Sequence, residues 1–158
     1  IHSLLATGND YARVKNTSQN RAINRHQWDY DTLQTTLDNP DSQHHQAFER
    51  LKALIRIRRN QPAFHPNATQ FTLQLGPCLF GIWRQSMERR QSIFCISNIS
   101  AQPQLLALSD VNLTDNEQWI DLLGETQVDS KAEVLELQPY QSVWLSNAPG
   151  YGLVPTGG

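Results

Sequence analysis

The segment 42–66 constrains the fold more than any other stretch of this 158-residue chain, because the hydrophobic pattern changes there from one period to another. The positions spaced by three and four along one side of it are Ala47, Phe48, Leu51, Leu54, Ile55 and Arg58. This spacing predicts an amphipathic helix. We expect Asp41 or Ser42 to cap its start, and Pro62 to prevent its continuation because proline lacks a backbone N–H.

After this helix, apolar and polar residues alternate with a period of two, which is typical of half-buried strands. Turn signals separate six or seven short segments, namely 69–75, 79–84, 92–98, 104–108, 119–122, 132–137 and 141–146. This spacing predicts an antiparallel β-sandwich. Three of the four tryptophans, Trp83, Trp119 and Trp144, lie within these segments. We therefore interpret them as core residues and not as a sugar-stacking surface.

Composition excludes several classes of protein. The formal net charge is −2, which argues against a dedicated nucleic-acid surface. No apolar run approaches the roughly 20 residues that a membrane-spanning helix needs. Cys78 and Cys95 have no partner motif, so we expect two free, mostly buried thiols. His44 and His45 are adjacent on a helix and make a poor chelating pair, so a zinc site has no support.

The segment 6–28 is polar, lacks a clear period and is expected to be a long loop. Its most distinctive part is RAINRH at 21–26, in which Arg21 and Arg25 supply many hydrogen-bond donors. Such donors suit sugar hydroxyls, phosphates or carboxylates. Alternatively, they pin the loop by pairing with neighbouring carboxylates and backbone. The spacing of Asp10, Asp29 and Asp31 does not single out a catalytic pair.

Both ends of the sequence also give expectations. The chain begins with Ile-His-Ser-Leu-Leu, which we interpret as the tail of a strand whose beginning lies elsewhere, so a missing targeting segment is uninformative. Residues 148–158 contain four of the eight glycines and two prolines, and are expected to form a flexible tail.

Motifs along the chain resemble a known family. HSLL at 2–5, GND at 8–10 and RAINRH at 21–26 are similar to the segment after the eighth barrel strand of sucrose-phosphorylase-type enzymes, a group of the α-amylase superfamily (glycoside hydrolase family 13). IRIR at 55–58 and PAFHP at 62–66 resemble that group's last barrel helix and its junction to a C-terminal β-domain. DLLG at 121–124 and LQPYQSVWL at 137–145 resemble the closing strands of that domain. Ala22 is a departure, because the group often has Asp there.

The resemblance implies an α+β fragment. Residues 1–62 would be the end of a catalytic (β/α)8 barrel, comprising the end of strand 8, its loop and the last helices. Residues 63–147 would be an antiparallel all-β C-terminal sandwich domain, followed by the tail. A retaining α-glucosyl-transferring enzyme of this type uses a carboxylate nucleophile, a carboxylic acid/base and, in this superfamily, a third carboxylate that orients the sugar. These groups come from earlier barrel strands, so the chain alone should lack catalytic residues and activity.

The resemblance also implies the binding residues and partners. Arg21 is the first candidate for a substrate-binding residue and Arg25 the second, each as a guanidinium that holds the glucosyl ring. The expected partners are a sugar substrate (sucrose or a glucosyl phosphate) in the complete enzyme and the missing N-terminal barrel. We expect a cytoplasmic protein without a metal site, a cofactor, a nucleic-acid partner or a membrane partner.

An alternative hypothesis is a self-standing, non-catalytic carbohydrate-binding β-sandwich module. It predicts at least two tryptophans on one exposed face, spaced to stack on sugar rings. The barrel-fragment hypothesis predicts instead that the apolar stripe of the helix, including Phe48, Leu51 and Ile55, lacks its sheet. Exposure of that stripe would favour self-association of the isolated chain.

Overall fold

The computed structural model describes residues 2–111, 118–129 and 131–147. Its internal contacts divide the chain into two compact units, Ile1–Arg56 and Ile57–Gly158. We call them the helical unit and the β-unit. The predicted tail, 148–158, lies outside the described residues.

The helical unit contains three α-helices and a 3₁₀-helix: α1 (Tyr11–Thr17), the 3₁₀-helix Asn20–Asn24, α2 (Tyr30–Asp38) and α3 (Gln43–Arg59), whose last three residues belong to the β-unit. Asp29 caps α2, because its carboxylate accepts the Thr32 backbone N–H at 3.0 Å. Ser42 caps α3, because its hydroxyl oxygen accepts the His44 N–H at 3.1 Å. The predicted long helix and the Ser42 alternative for its cap are confirmed.

Two expectations about the helical unit are wrong. Residues 2–6 form a turn, closed by the Thr7 N–H on the His2 carbonyl oxygen at 2.9 Å, and are not an extended strand end. The segment 6–28 contains α1 and a 3₁₀-helix and is not a structureless loop. In both places the backbone satisfies its hydrogen bonds locally, through a turn or a cap, and such bonding needs no hydrophobic period.

Helix α3 has an apolar side that is only partly covered. No residue of α3 is buried, and Leu54 and Ile55 are 38% and 46% exposed. No described helix is long and apolar enough to cross a membrane.

In its described ranges the β-unit contains eight antiparallel strands: β1 (Thr69–Leu73), β2 (Leu79–Gln85), β3 (Ser92–Asn98), β4 (Gln104–Ala107), β5 (Trp119–Asp121), β6 (Thr126–Val128), β7 (Val134–Leu137) and β8 (Ser142–Ser146). Six form one sheet in the order β1-β2-β3-β8-β5-β6, while β4 and β7 form a second sheet. Short 3₁₀-helices occupy Pro62–Phe64 and Leu108–Val111. The predicted antiparallel architecture is confirmed, and β6 is a strand that the sequence pattern did not predict.

One hydrophobic core joins the two sheets. Leu106 of β4 and Leu137 of β7 are buried in the same cluster as Ile96, Val143 and Leu145 of the large sheet. Aromatic rings extend this core across the strands: Phe71 stacks on Trp83 with ring centroids 5.2 Å apart, and Trp83 stacks on Phe94 at 5.9 Å. The β-unit therefore buries a core of its own.

The tryptophans of the strands are core residues, as predicted. Trp119 is buried in the main cluster and Trp83 packs against it, while Trp144 packs against a second cluster formed by Ala63, Ile93 and Leu122. The fourth tryptophan, Trp28, is half-buried in the helical unit. The exposed pair of tryptophans that the binding-module hypothesis requires is therefore not found.

Within the β-unit, two polar side chains attach the segment after α3 to the strands. The Arg84 guanidinium donates to the carbonyl oxygens of Ala63 and His65 and to the Gln70 side chain, each at 2.8 Å. Buried Gln91 accepts the Ala63 N–H at 3.0 Å through its side-chain oxygen. These bonds fix the PAFHP junction against β2 and the start of β3.

Both cysteines are free and half-buried. Burial raises the pKa of the Cys95 thiol to about 12, although Arg84 and Arg58 act in the opposite direction. Cys95 is therefore a packed, inert thiol at neutral pH.

Candidate functional site

Asp10 connects the start of α1 to the RAINRH segment, which carries the two predicted site residues. Its carboxylate accepts the Arg13 backbone N–H at 2.8 Å and thereby caps α1. Its own backbone N–H donates to the Ile23 carbonyl oxygen at 2.7 Å. The acceptor residue, Ile23, lies between the two candidate arginines in the sequence. Asp10 therefore ties the start of α1 to the segment that carries Arg21 and Arg25.

His26, the last residue of the RAINRH segment, also contacts Asp10. Its ring Nδ1 lies 3.0 Å from the second carboxylate oxygen of Asp10. The Arg13 N–H, and after it His26, hold the pKa of the Asp10 carboxyl below its ordinary value. Asp10 is thus an ionised, hydrogen-bonded group, and its arrangement is that of a structural carboxylate.

His2 contacts the same segment through the backbone. The His26 backbone N–H donates to Nε2 of His2 at 3.0 Å, so this nitrogen is an acceptor. The proton of a neutral His2 ring is then on Nδ1, which lies 3.4 Å from the Thr7 carbonyl oxygen. His2 therefore links the turn at 2–6 to the RAINRH segment.

An open depression of about 480 Å³ lies beside these groups. It is lined by residues 7–12 and by the side chains of His26, Trp28 and His44. Trp28 donates its indole N–H to the Thr7 hydroxyl at 3.0 Å and packs edge to face against His26 and His44, with ring centroids 5.1 and 5.0 Å apart. An aromatic ring beside imidazoles and a carboxylate can bind a ligand that carries hydroxyl groups.

The structure places both predicted arginines next to this network without bringing them into the depression. Arg21 lies in the 3₁₀-helix and Arg25 follows its end, and both are exposed. Between them lies Ala22, which is only 5% exposed. Its buried methyl group anchors the segment. Neither guanidinium makes a hydrogen bond or an ion pair with another residue of the described ranges. This exposure leaves both arginines available to a ligand or to a further part of a longer protein.

The pinning function that we considered for the arginines is performed by other residues. Asp10, His26 and His2 hold the segment, and sequence reasoning did not single out this set. Asp10 just before a short helix is a possible N-cap signal. Its pairing with His26 across 16 positions has no signal in one sequence. Within the described ranges, no group of three His, Cys, Asp or Glu side chains is arranged to hold a metal ion.

The fold defines the class of protein to which the chain is similar. An α-amylase from Anoxybacillus superposes with a TM-score of 0.58 at 18% identity, covering 73% of this chain and 25% of that chain. AmyP in complex with maltotriose gives a TM-score of 0.57 at 14% identity, covering 69% and 22%. A MutB variant in complex with sucrose gives 0.52 at 18% identity, covering 88% and 24%. The fold of this chain is thus that of a part of these proteins.

The sequence adds relatives of a particular kind. The chain is 30% identical to the glucosylglycerate phosphorylase of Allomeiothermus silvanus over 145 residues, which is 92% of this chain and 23% of that protein. It is 31% identical to the Spirochaeta thermophila enzyme of that name over 100 residues, covering 63% and 17%. The Escherichia coli enzyme is 27% identical over 146 residues, covering 92% and 24%. No family model matches.

The homologues of this chain are therefore glucosylglycerate phosphorylases, its fold neighbours are α-amylase-family enzymes, and it fits a C-terminal fragment of such an enzyme. The chain spans less than a quarter of the length of these relatives.

Proposed function

We propose that this chain is the C-terminal part of a cytoplasmic, retaining α-glucosyl-transferring phosphorylase that acts on glucosylglycerate or a closely related glucoside such as sucrose. The observation that carries the proposal is the similarity to glucosylglycerate phosphorylases along 92% of the chain. In such a reaction a carboxylate attacks the glucosyl carbon, an acid protonates the leaving group, and phosphate then takes the glucosyl unit. Those carboxylates would belong to a part of the protein outside this chain.

Within the proposed enzyme, the helical unit supplies substrate contacts. The Arg21 guanidinium, or in second place that of Arg25, binds hydroxyl groups of the glucosyl ring and pairs with a carboxylate at the pocket floor. Two features support this role: both side chains are exposed, and the Asp10–His26 pair holds their segment in place. An arginine in a fixed segment orients a sugar better than one in a mobile loop, because less freedom is lost on binding.

The first test compares the activity of the isolated chain with that of the full-length protein. The full-length protein should release glucose 1-phosphate from glucosylglycerate only when inorganic phosphate is present, and sucrose is assayed in parallel as the alternative donor. The 158-residue chain alone should show no turnover with either donor. Turnover by the isolated chain, or hydrolysis without phosphate dependence in the full-length protein, would contradict the proposal.

The second test concerns the arginines. Arg21→Ala in the full-length enzyme should lower kcat/KM about a hundredfold, since the glucosyl ring loses an oriented contact in the transition state. Arg21→Lys should restore little of this, because an ammonium lacks the planar fork. Arg25→Ala is compared to decide between the two candidates. Arg50→Ala, an exposed arginine on α3, is the matched control and should leave the rates unchanged. Equal rates for the Arg21, Arg25 and Arg50 variants would reject the assignment.

A further inference from the structure

The central strands of the large sheet are apolar on both faces, although only one face packs into the main core. The sequence reads LFGIW at 79–83 in β2, IFCI at 93–96 in β3 and VWL at 143–145 in β8. A sheet with one face in solvent alternates between apolar and polar residues, whereas strands covered on both faces give continuous apolar runs. The pattern therefore predicts a cover on the face that points away from the main core, which we call the outer face.

The strand register arranges the residues of the outer face in three rows. Ile93, Cys95 and Trp144 identify this face, because they pack in the second cluster with Ala63 and Leu122 and not in the main core. Residues that pair across β2, β3 and β8 form the first row Arg84–Ile93–Ser146, the second row Ile82–Cys95–Trp144 and the third row Phe80–Ser97–Ser142.

Burial decreases from the first row to the third. Ile93 and Ser146 of the first row are 0% exposed, and Arg84 donates to carbonyl oxygens of the PAFHP junction. All three residues of the second row are half-buried. In the third row Phe80 is 52% exposed and Ser142 is exposed as well. The junction therefore covers one end of the outer face and leaves the other end open.

The open end has the chemistry of a packing surface. The second and third rows contain no charged residue. Phe80 and Trp144 are large and apolar, while Cys95 and Ser97, on the strand between them, are small. The hydroxyl groups of Ser97 and Ser142 lie 2.7 Å apart and bond to each other. Small residues beside large apolar ones allow the apolar side of an α-helix to approach a sheet closely.

The length of the relatives indicates where such a helix comes from. Similarity extends along 92% of this chain but along only 23% and 24% of two glucosylglycerate phosphorylases. These relatives therefore contain a much larger part that has no counterpart in this chain.

From the apolar pattern, the decrease in burial and this length, we propose that the outer face of the β-unit docks an amphipathic α-helix from the part of the longer enzyme that lies outside this chain. The apolar side of this helix packs on Phe80, Ile82 and Trp144. The inference rests on the proposed function only in requiring a longer protein, and it is independent of the reaction and of Arg21 and Arg25.

One test measures the reactivity of an introduced thiol. Ser142→Cys places a thiol at the open end, and Glu136→Cys places one at an exposed position of β7 in the other sheet as the matched control. Each variant is made in the 158-residue chain and in the full-length protein, and peptide mass spectrometry follows its modification by iodoacetamide. The thiol at position 142 should react at least about tenfold more slowly in the full-length protein. The thiol at position 136 should react equally in both.

A second test places a charge on the same surface. Phe80→Glu should leave the thermal midpoint of the isolated chain unchanged, because this side chain is largely in solvent there. It should lower the midpoint of the full-length protein by several degrees, because a carboxylate is then buried against the helix. Leu105→Glu changes a residue of β4 that is 64% exposed and should leave both midpoints unchanged.

Each alternative has a distinct result. Equal reactivity at position 142 in the two proteins would overturn the proposal, and so would an equal effect of Phe80→Glu on both. Protection of position 142 in the isolated chain would overturn the choice of occupant, and loss of that protection on dilution would assign the face to a second copy. Neither test uses a substrate, so a failure here is distinguishable from a failure of phosphorolysis by the full-length enzyme.

Discussion

Several single polar side chains in this protein each fix more than one loop. Buried Asp121 accepts backbone N–H groups from Leu123 and Gly124 at 3.1 Å and from Trp144 at 2.8 Å, which joins the turn after β5 to β8. Asn98 has its amide nitrogen within 2.7–3.2 Å of three carbonyl oxygens and is 2% exposed. The N-x-Ser sequence that begins at Asn98 is therefore a structural element of the core and is not accessible to glycosylation in the folded state.

The Asp10 carboxylate gives a prediction about how stability depends on pH. The Arg13 N–H and His26 lower the pKa of Asp10 from its ordinary value of 3.8. Because the folded pKa is the lower one, the contribution of this carboxylate to stability is complete above pH 3.8 and is lost as the pH falls through the lowered pKa. The Arg13 amide resonance should therefore titrate with a midpoint below 3.8.

The control for this titration is Asp10→Asn. Asparagine still caps a helix but cannot ionise in this range, so the titration step of the Arg13 amide should disappear. A midpoint at or above the ordinary value would show that the Arg13 N–H and His26 do not stabilise the carboxylate in solution. An unchanged step in the asparagine variant would show that a group other than Asp10 causes the titration.

At the scale of elements, the parts that the sequence predicted are those stabilised by burial. Strands such as β2 and β3 are visible in the hydrophobic pattern because their apolar residues are buried: Phe94 and Ile96 pack into the main core, and Ile93 packs into the second cluster on the other face of β3. The three-residue strand β6 has no such period, since Thr126 and Gln127 are exposed and only its pairing with β5 defines it. Helix α1 buries no residue and depends on the Asp10 cap. Periodicity carries no information about elements of this kind.

The candidate site likewise combines residues that the sequence pattern shows and contacts that it does not show. Arg21 and Arg25 could be singled out because a dense run of donors is visible in a linear sequence. The Asp10–His26 pair could not, since it forms only when α1 and the 3₁₀-helix pack together. Alternation indicated that Trp83 faces the core, but not that its indole N–H lacks an acceptor there.

The turn between β5 and β6 gives a prediction at this scale. A Cβ on Gly124 would lie 2.9 Å from the Asp121 carboxylate oxygen and 2.9 Å from the Thr126 hydroxyl oxygen. That carboxylate is fixed by its backbone partners and cannot move away without losing them. Gly124→Ala should therefore lower the free energy of unfolding by about 1–3 kcal/mol.

Denaturant unfolding of the chain measures this change, and Gly8→Ala is the control. A Cβ at Gly8 meets no atom within 4 Å, so that variant should stay close to the parent. Equal midpoints for the two variants would mean that the turn relaxes around the added methyl group and that Asp121 is not held as described.

At the scale of the whole molecule, the exposed part of α3 raises the question of what covers it. Leu54 and Ile55 are large apolar side chains, and both are more than a third exposed. The relatives are nearly four times as long as this chain, which is consistent with a longer protein that covers such a surface. In the isolated chain the same surface is available to a second copy, and a two-fold dimer would bury it on both copies at once.

We therefore expect the isolated chain to self-associate through α3. Sedimentation analysis should show a monomer–dimer equilibrium, and Leu54→Ser together with Ile55→Ser should weaken it about tenfold or more, because apolar area buried at the contact is lost. Leu105→Ser is the control, since Leu105 on β4 is 64% exposed and belongs to the β-unit. A monomer at every concentration would contradict the prediction. If the Leu105 variant alone dissociated the dimer, the contact would lie on the β-unit, and the apolar side of α3 would have no role in association.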